Sequence, residues 1–221
     1  MFFEQIKSIL LIVTALFPIV NPIGGSPIFL LLTQDYSTEQ RKLLARQVAL
    51  NSFILLIVSV VVGTHILTFF GISLPVVQVG GGLVVISTGW TMLTRSDPAA
   101  SGDRSPMHQA VTAKDVLGKA FYPLTLPLTV GPGSISVAIT LGANEPRRLG
   151  ANALAILTAA VGSALIAASV YLCYAYAGRL AAAVGPSGMN VILRLSAFLL
   201  VCIGVQILWN GVSALVKTLP V

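Results

Sequence analysis

The chain has 221 residues, of which 56% are hydrophobic and only 9% are charged. Soluble domains carry about 25% charged residues, so this chain has too few charges for a surface that faces water. Its net charge of +6 comes from Lys and Arg residues in short segments between apolar runs, which is typical of a membrane protein and argues against nucleic-acid binding. The composition therefore predicts an all-α, polytopic membrane protein whose main partner is the lipid bilayer.

Six apolar runs follow one another along the chain, and each is a predicted membrane pass. A bilayer core about 30 Å thick requires about 20 mainly apolar residues in a spanning helix. In chain order the predicted passes are residues 2–33, 43–70, 75–93, 116–140, 151–177 and 191–216. Prolines and glycines interrupt the first pass at 18–27 and the fourth at 123–132. We therefore expect six transmembrane helices, with helices 1 and 4 discontinuous.

Polar linkers separate the passes and predict the orientation of the chain. The longest linker, residues 95–115, divides a single membrane domain into a first three-helix half, 1–94, and a second, 116–221; residues 178–190 form the linker before the sixth pass. Of the 13 Lys and Arg residues, nine fall on the side of the membrane that receives the 95–115 linker. Because cytoplasmic loops carry an excess of Lys and Arg, we expect a multi-pass protein of the bacterial inner membrane with both termini periplasmic.

The two interruptions resemble each other and predict an internal repeat. They read FPIVNPIGGSPIF and YPLTLPLTVGPGSI, with prolines at 18, 22 and 27 and again at 123, 127 and 132, a constant offset of 105. Three passes per half is an odd number, so the second half enters the membrane from the opposite side. Such inverted repeats are typical of secondary transporters, in which broken helices meet near the centre of the bilayer.

The broken helices predict a polar cavity, because unwound backbone in lipid must be buried in protein or line a wet space. Ser26 followed by Pro27 has the pattern of a helix start, and Gly131 followed by Pro132 is the analogous start in the second half. Helix N-termini attract a carboxylate and exposed carbonyls attract an ammonium group, so the cavity suits a small zwitterionic solute. The predicted solute-binding residues are Asn21, Gly24, Gly25, Ser26, Thr125, Thr129, Gly131, Gly133 and Ser134.

Two plainer interpretations stay open at this point. The prolines and glycines could only kink two helices, and Asn21 could cap a helix without contacting a solute. The small residues of the fifth pass predict close helix packing rather than a site. The sequence shows no catalytic triad, metal-ligand spacing or P-loop, which predicts a protein that is not an enzyme and uses no cofactor; a coupling ion, Na+ or H+, would bind carbonyls, hydroxyls or the solute's own carboxylate.

Four segments resemble the MarC family of integral membrane proteins, which is related to small neutral amino acid transporters. They are PIVNPIGGSPIF, FGISLPVVQVGGGL, YPLTLPLTVGPGSI and RLSAFLLVCIGVQILWNGV, and they cover both halves of the chain. The resemblance implies six helices with the N-terminus outside the cytoplasm. It also implies transport of glycine, alanine and similar solutes, with the broken-helix motifs at residues 21–27 and 127–134.

Three functions are compatible with these observations. A secondary transporter of small neutral amino acids, working by alternating access at the paired breaks, agrees with the absence of Arg, Lys, Asp and Glu from both breaks. An exporter of amphipathic drugs or metabolites would need a cavity rich in aromatic residues, yet these make up only 7% of the chain. A membrane protein of the MarC family that transports nothing is the third.

Overall fold

The computed structural model of the protein describes residues 2–94, 118–143 and 151–217. All regular secondary structure in these ranges is helical. The segments are α1 (Phe2–Val20), α2 (Pro22–Leu32), α3 (Thr38–Phe69), α4 (Leu74–Thr94), α5 (Ala120–Thr129), α6 (Pro132–Ala143), α7 (Ala151–Ala175) and α8 (Ala177–Val216). The predicted linker 95–115 and the first residues of the fourth predicted pass lie outside the described residues.

The helices confirm an all-α, polytopic membrane protein. Within the described ranges, five helical spans are long and apolar enough to cross a membrane, and α1 and α2 together form the first of them, Phe3–Leu32. The bent pair α5 and α6 makes a sixth if both helices belong to one pass. Large apolar side chains cover the outer surface of the bundle, for example Phe69 and Trp209, which are 85% and 62% exposed. A surface of this kind is suited to lipid.

The third segment, α3, begins before the apolar run that predicted it. Ser37 accepts a hydrogen bond from the Gln40 amide (3.2 Å), and the Gln40 side chain accepts one from the Ser37 amide (3.0 Å). This reciprocal capping box fixes the helix start at Thr38, five residues before the predicted 43. Hydropathy alone marks only the part of a helix that lies in lipid, whereas the cap marks where the helix begins.

The predicted linker 178–190 is helical and forms the first part of α8, and most of it precedes the candidate membrane span that begins at Ser187. It contains three consecutive alanines, residues 181–183, and alanine has the highest helix propensity of any residue type. The segment can therefore form a helix without burying an apolar face. The helix bends at Gly185, which has φ 73° and precedes Pro186. Glycine adopts this left-handed conformation without the steric cost that a side chain would bring.

Two pairs of long helices enclose the two short ones. α3 packs against α7, and α4 packs against α8. α2 contacts α7 and α8, whereas α6 contacts α3 and α4. The half-length helices α2 and α6 thus lie between the two long pairs, and the segments that precede them, α1 and α5, pack against α7 and α3 respectively.

Glycines bring α4 and α8 into backbone contact. A Cβ atom added to Gly82 would lie 2.8 Å from the Gly204 carbonyl oxygen, and one added to Gly204 would lie 2.9 Å from that of Gly82. Gly89 meets the Ala197 carbonyl at 2.9 Å in the same way. Residue numbers fall along α8 as they rise along α4, so the two helices are antiparallel. Small residues allow the close packing that associates helices in membranes.

Basic residues gather at the end of the bundle where α2 finishes, which we call the basic end and define by Arg41, Lys119 and Arg179. The Arg41 guanidinium donates to the carbonyls of Thr33 (3.0 Å) and Tyr36 (3.3 Å), just after the last turn of α2. Lys119 lies over the Tyr36 ring, 5.8 Å from its centroid. Arg179 follows the end of α7, and the neighbouring glycine at 178 lies against the Arg41 guanidinium.

Candidate functional site

The first break, between α1 and α2, is a single residue wide. Asn21 adopts a left-handed conformation with φ 47° and ψ 57°, and its side-chain oxygen accepts a hydrogen bond from the Gly24 amide at 3.1 Å. Pro22 is the first residue of α2. Asparagine tolerates left-handed backbone and supplies the cap acceptor, and proline at the first helical position loses no hydrogen bond, so these residues together restart the helix.

The predicted start of this helix at Ser26 and Pro27 is therefore wrong. Pro27 lies inside α2, and the fully buried Ser26 hydroxyl donates to the Ile23 carbonyl at 2.8 Å instead of capping a helix. The cap at Asn21 comes earlier in the chain and already satisfies the helix terminus. Gly24 is needed beneath this cap, because a Cβ there would lie 2.8 Å from the Asn21 side-chain oxygen.

The second break, between α5 and α6, is wide and strongly bent. Tyr122 (φ −124°, ψ 126°) and Leu126 (φ −104°, ψ 127°) interrupt α5 with extended backbone. Each precedes a proline, whose ring disfavours helical conformation in the residue before it. After Val130 the chain restarts as α6 at Pro132, as predicted, with the Gly131 carbonyl accepting from the Ile135 amide at 3.1 Å. The axes of α5 and α6 differ by 69°.

Two buried threonine hydroxyls of α5 bond to its own backbone. Thr125 donates to the Ala120 carbonyl and Thr129 donates to the Leu124 carbonyl, each at 2.7 Å and each five residues back. A hydroxyl has one proton and two lone pairs, so any further hydrogen bond to either group must come from a donor elsewhere. Both threonines thus present acceptor lone pairs to the interior of the protein.

Tyr174 of α7 joins the two breaks. Its hydroxyl lies 2.9 Å from the Thr129 hydroxyl, and a Cβ added to Gly25 would lie 2.6 Å from the same Tyr174 oxygen. The Tyr174 ring stacks on Phe29 of α2, with centroids 4.5 Å apart, and the whole side chain is buried. The structure thus brings the predicted residues Gly25 and Thr129 together around a side chain that the sequence interpretation missed.

A second polar chain leads to Thr125. The Asn51 amide of α3 donates to the Thr125 hydroxyl at 3.4 Å, and the Gln47 amide donates to the Asn51 side-chain oxygen at 3.2 Å. Neither amide was a predicted site residue. Their spacing of four places them on one face of α3, and this is the signal in the sequence that would have drawn attention to them.

The remaining residues of the second break face other neighbours. Gly133 lies directly against the Val85 side chain of α4, so it belongs to the α4–α6 contact and not to the space around Tyr174. A Cβ on Gly131 would lie 3.3 Å from the Pro127 carbonyl oxygen, and Ser134 is buried beside it in α6. The nearest neighbours of Gly131 and Gly133 are thus residues other than Gly25 and Tyr174.

The meeting point of the breaks is polar but uncharged. Neither break contains Asp, Glu, Lys or Arg, and the groups that meet there are hydroxyls, amides and backbone. In the part of the chain that the structure describes, the salt bridge Lys7–Glu4 (3.0 Å) is exposed and far along α1 from Asn21. That part also has no group of His, Cys, Asp or Glu able to hold a metal ion.

An apolar outer surface, membrane-length helices and buried uncharged polar groups at two helix breaks define a multi-pass integral membrane protein. Residues 6–216 match the family described as MarC family integral membrane protein, and the chain belongs to that family. The inner membrane protein MarC of Salmonella arizonae is 32% identical over 218 residues, covering 97% of this chain and 98% of the relative. The membrane protein YvbG of Bacillus subtilis is 29% identical over 205 residues, covering 93% and 94%.

The matches to these relatives extend over nearly the whole chain, and the Salmonella relative is named as an inner membrane protein. Since the matches cover nearly all of each chain, the described helices and both breaks lie within the family's common region. No solved structure matches the chain.

Proposed function

We propose that the protein is a secondary transporter of small, neutral, zwitterionic solutes such as glycine and alanine, working by alternating access around the two breaks. The observation that carries this proposal is that Tyr174 contacts both Gly25, in the first turn after the first break, and Thr129, in the second break. Helix interruptions surrounded only by lipid or apolar side chains would not require buried hydroxyl acceptors. The groups present can bind an uncharged or zwitterionic solute without a formal charge in the protein.

The lengths of α2 and α6 support a site near the middle of the bilayer. α2 has 11 residues and α6 has 12, so they extend about 16 and 18 Å at 1.5 Å per residue. Each is about half of a hydrocarbon core roughly 30 Å thick. Two half-length helices that start from facing breaks would carry those breaks to a similar depth, which is where inverted-repeat transporters bind their solutes.

The helix packing supports the proposed inverted repeat of 1–94 and 116–221. Exchanging the first three passes with the last three turns α3 into α7, α4 into α8 and α2 into α6. The observed contacts follow this exchange, because α2 packs against α7 and α8 where α6 packs against α3 and α4. The antiparallel pairing of α4 with α8 is the relation expected between equivalent helices of opposite orientation. Six passes, with α5 and α6 as the fourth, complete this arrangement.

We infer that the basic end faces the cytoplasm and that both termini are periplasmic. Arg41, Lys119 and Arg179 come from three different segments of the chain and lie at the same end of the bundle, which is the asymmetry that orients membrane proteins. An alkaline phosphatase fused to the C-terminus, which is active only in the periplasm, is expected to be active. Activity of a cytoplasmic reporter at the same position would contradict this orientation.

Uptake by purified protein in proteoliposomes tests the proposed function. We expect saturable uptake of labelled glycine and alanine, measured with and without Na+ and H+ gradients to identify the coupling ion. Thr129→Val removes the buried hydroxyl and is expected to lower the initial rate by about fivefold, the effect of about 1 kcal/mol. The matched control is Thr14→Val in α1, where an exposed hydroxyl bonds only within its own helix, to the carbonyls of Leu10 (2.7 Å) and Leu11 (3.2 Å).

Absence of uptake above empty vesicles under every gradient would contradict the proposal. Transport of amphipathic dyes in place of glycine and alanine would favour the exporter instead. Equal loss of rate in the Thr129 and Thr14 variants would show that the second break has no special part in transport.

A further inference from the structure

The direction of the hydrogen bond between Tyr174 and Thr129 follows from proton counting. The Thr129 hydroxyl already donates its one proton to the Leu124 carbonyl at 2.7 Å. It therefore accepts at its other contact, 2.9 Å away, and the Tyr174 hydroxyl is the donor there. The second break thus offers an acceptor that is filled by a donor from the protein itself.

Tyr174 leaves no room for a solute between the two breaks. Its oxygen is so close to Gly25 that even one added methyl group would lie 2.6 Å from it. The ring is held by its stack on Phe29, and both side chains are fully buried. A solute that contacts both breaks must therefore displace the Tyr174 side chain first.

We propose that Tyr174 is the gate of the solute site and that its hydroxyl occupies the place of the solute's ammonium group. The inference rests on the transport function proposed above. When Tyr174 moves away, the acceptor on Thr129 becomes free, and a solute N–H donor replaces the phenol O–H. Gly25 then supplies the close backbone approach that a small solute needs. Tyr174 lies one residue before the end of α7, so the gate is on the side of the basic end.

This assignment gives the transporter a chemical selectivity. A buried acceptor that loses one donor must receive another, or its desolvation remains uncompensated. Solutes with an ammonium group beside a carboxylate meet that need, whereas a carboxylate of the same size without the ammonium does not. The space vacated by a phenol ring also limits the solute to a small side chain.

Thiol labelling measures the opening of the gate without relying on transport. Ser26 is fully buried next to Gly25, so Ser26→Cys reports access to the break once Cys173 and Cys202 are replaced by alanine. In this background we expect Tyr174→Phe to raise the labelling rate by a small water-soluble maleimide about fivefold, the population shift produced by losing one ordinary hydrogen bond. Thr129→Val removes the same bond from the other side and is expected to give the same increase.

The matched control is Tyr171→Phe, one turn earlier on α7, where the hydroxyl has no hydrogen bond within the described ranges. Its labelling rate is expected to equal that of the parent. Unchanged labelling in both Tyr174→Phe and Thr129→Val would overturn the gate, even if the wild-type protein transports amino acids. If the wild-type protein showed no uptake, the proposed transport function would be rejected. The labelling rates would still decide whether Tyr174 closes the break.

Competition for uptake tests the ammonium assignment separately. Unlabelled alanine is expected to inhibit the uptake of labelled alanine, whereas propionate, which has the same carbon chain and carboxylate, is expected to leave it unchanged. Equal inhibition by propionate would overturn the idea that the Tyr174 hydroxyl occupies the ammonium position.

Discussion

The break between α1 and α2 turns at Asn21 alone, whereas the break between α5 and α6 extends from Tyr122 to Gly131. Prolines at the same spacing accompany both breaks, and the offset of 105 aligns Asn21 with Leu126. Asn21 takes a left-handed conformation and caps the next helix with its side chain. Leu126 has no polar side chain to form a cap, and its backbone is extended.

The difference shows that the proline spacing marks only the region of an interruption, since Pro18 and Pro27 lie inside helices. The residue before the matched Pro22 or Pro127 decides how wide the interruption is. A capping side chain lets the helix restart at once, and the first pass remains a single candidate span. Without a cap, the second break continues to Pro132, and the threonine hydroxyls of α5 bond to carbonyls five residues earlier in the same segment. The wide second break therefore supplies the buried acceptors, and the narrow first break supplies the close backbone approach at Gly25.

The largest effect is expected from removing the proline that keeps the second break extended. Pro127→Ala restores an amide proton and frees Leu126 to become helical, so α5 is expected to straighten and move Thr129. A displacement of about 1 Å at a reacting or binding group can cost about a hundredfold, and we expect uptake of alanine to fall by about that factor.

Pro22→Ala is the matched control for this prediction. Pro22 is at the first position of α2, where a backbone amide would make no hydrogen bond within the helix, so restoring the amide changes little. Uptake is expected to stay within about twofold of the parent. Similar losses in both variants would contradict the distinction between the breaks.

A smaller effect is expected when Asn21 of the first break is replaced by leucine, the residue at the aligned position 126 of the second break. Asn21→Leu removes the cap and forces a branched side chain into left-handed backbone, which together cost about 2 to 3 kcal/mol of unfolding free energy. Asn21→Gly keeps access to that backbone and is expected to cost only a few tenths of a kcal/mol. Unfolding in mixed detergent micelles measures both, and equal costs would show that the Asn21 conformation is unimportant.

Gly133 separates helix packing from the space between the breaks. Its contact with Val85 predicts that Gly133→Ala overpacks the α4–α6 contact and lowers the unfolding free energy by about 1 to 2 kcal/mol. Val85→Ala in the same chain makes room and is expected to restore most of the loss. If Gly133→Ala left the unfolding free energy unchanged but abolished uptake, and Val85→Ala did not restore uptake, Gly133 would instead lie at the solute.

The smallest effect is expected for the polar chain that ends at Thr125. Hydrogen bonds between membrane helices contribute about 0.6 kcal/mol on average, and the 3.4 Å contact with Asn51 is a long one. A double-mutant cycle of Asn51→Leu and Thr125→Val is expected to give a coupling energy of about that size. A coupling above about 2 kcal/mol would mean that Asn51 fixes the second break more strongly than its geometry indicates.

Local patterns in the sequence predicted much of the fold but less of the site. The apolar runs located the membrane helices, and the glycine and proline at 131 and 132 correctly marked the start of α6. The same pattern at Ser26 and Pro27 was misleading, because the competing cap at Asn21 lies five residues earlier. A choice between two possible caps depends on backbone conformation, which spacing alone does not reveal.

Contacts between distant segments account for what was missed. Tyr174 is 45 residues from Thr129 in the chain, and Asn51 is 74 residues from Thr125. The residues of α7 are apolar on every face of the helix, so its sequence has no periodic signal to show which face points inward. The tyrosine hydroxyl was the one available hint, since a buried phenol requires a partner.

A structure of the purified protein in lipid nanodiscs with saturating alanine tests the central claim most directly. We predict density for alanine between Gly25 and Thr129, with the Tyr174 hydroxyl moved beyond hydrogen-bonding distance of Thr129. A preparation that transports alanine, yet keeps Tyr174 bonded to Thr129 and holds the amino acid elsewhere, would contradict the claim that the two breaks form the solute site.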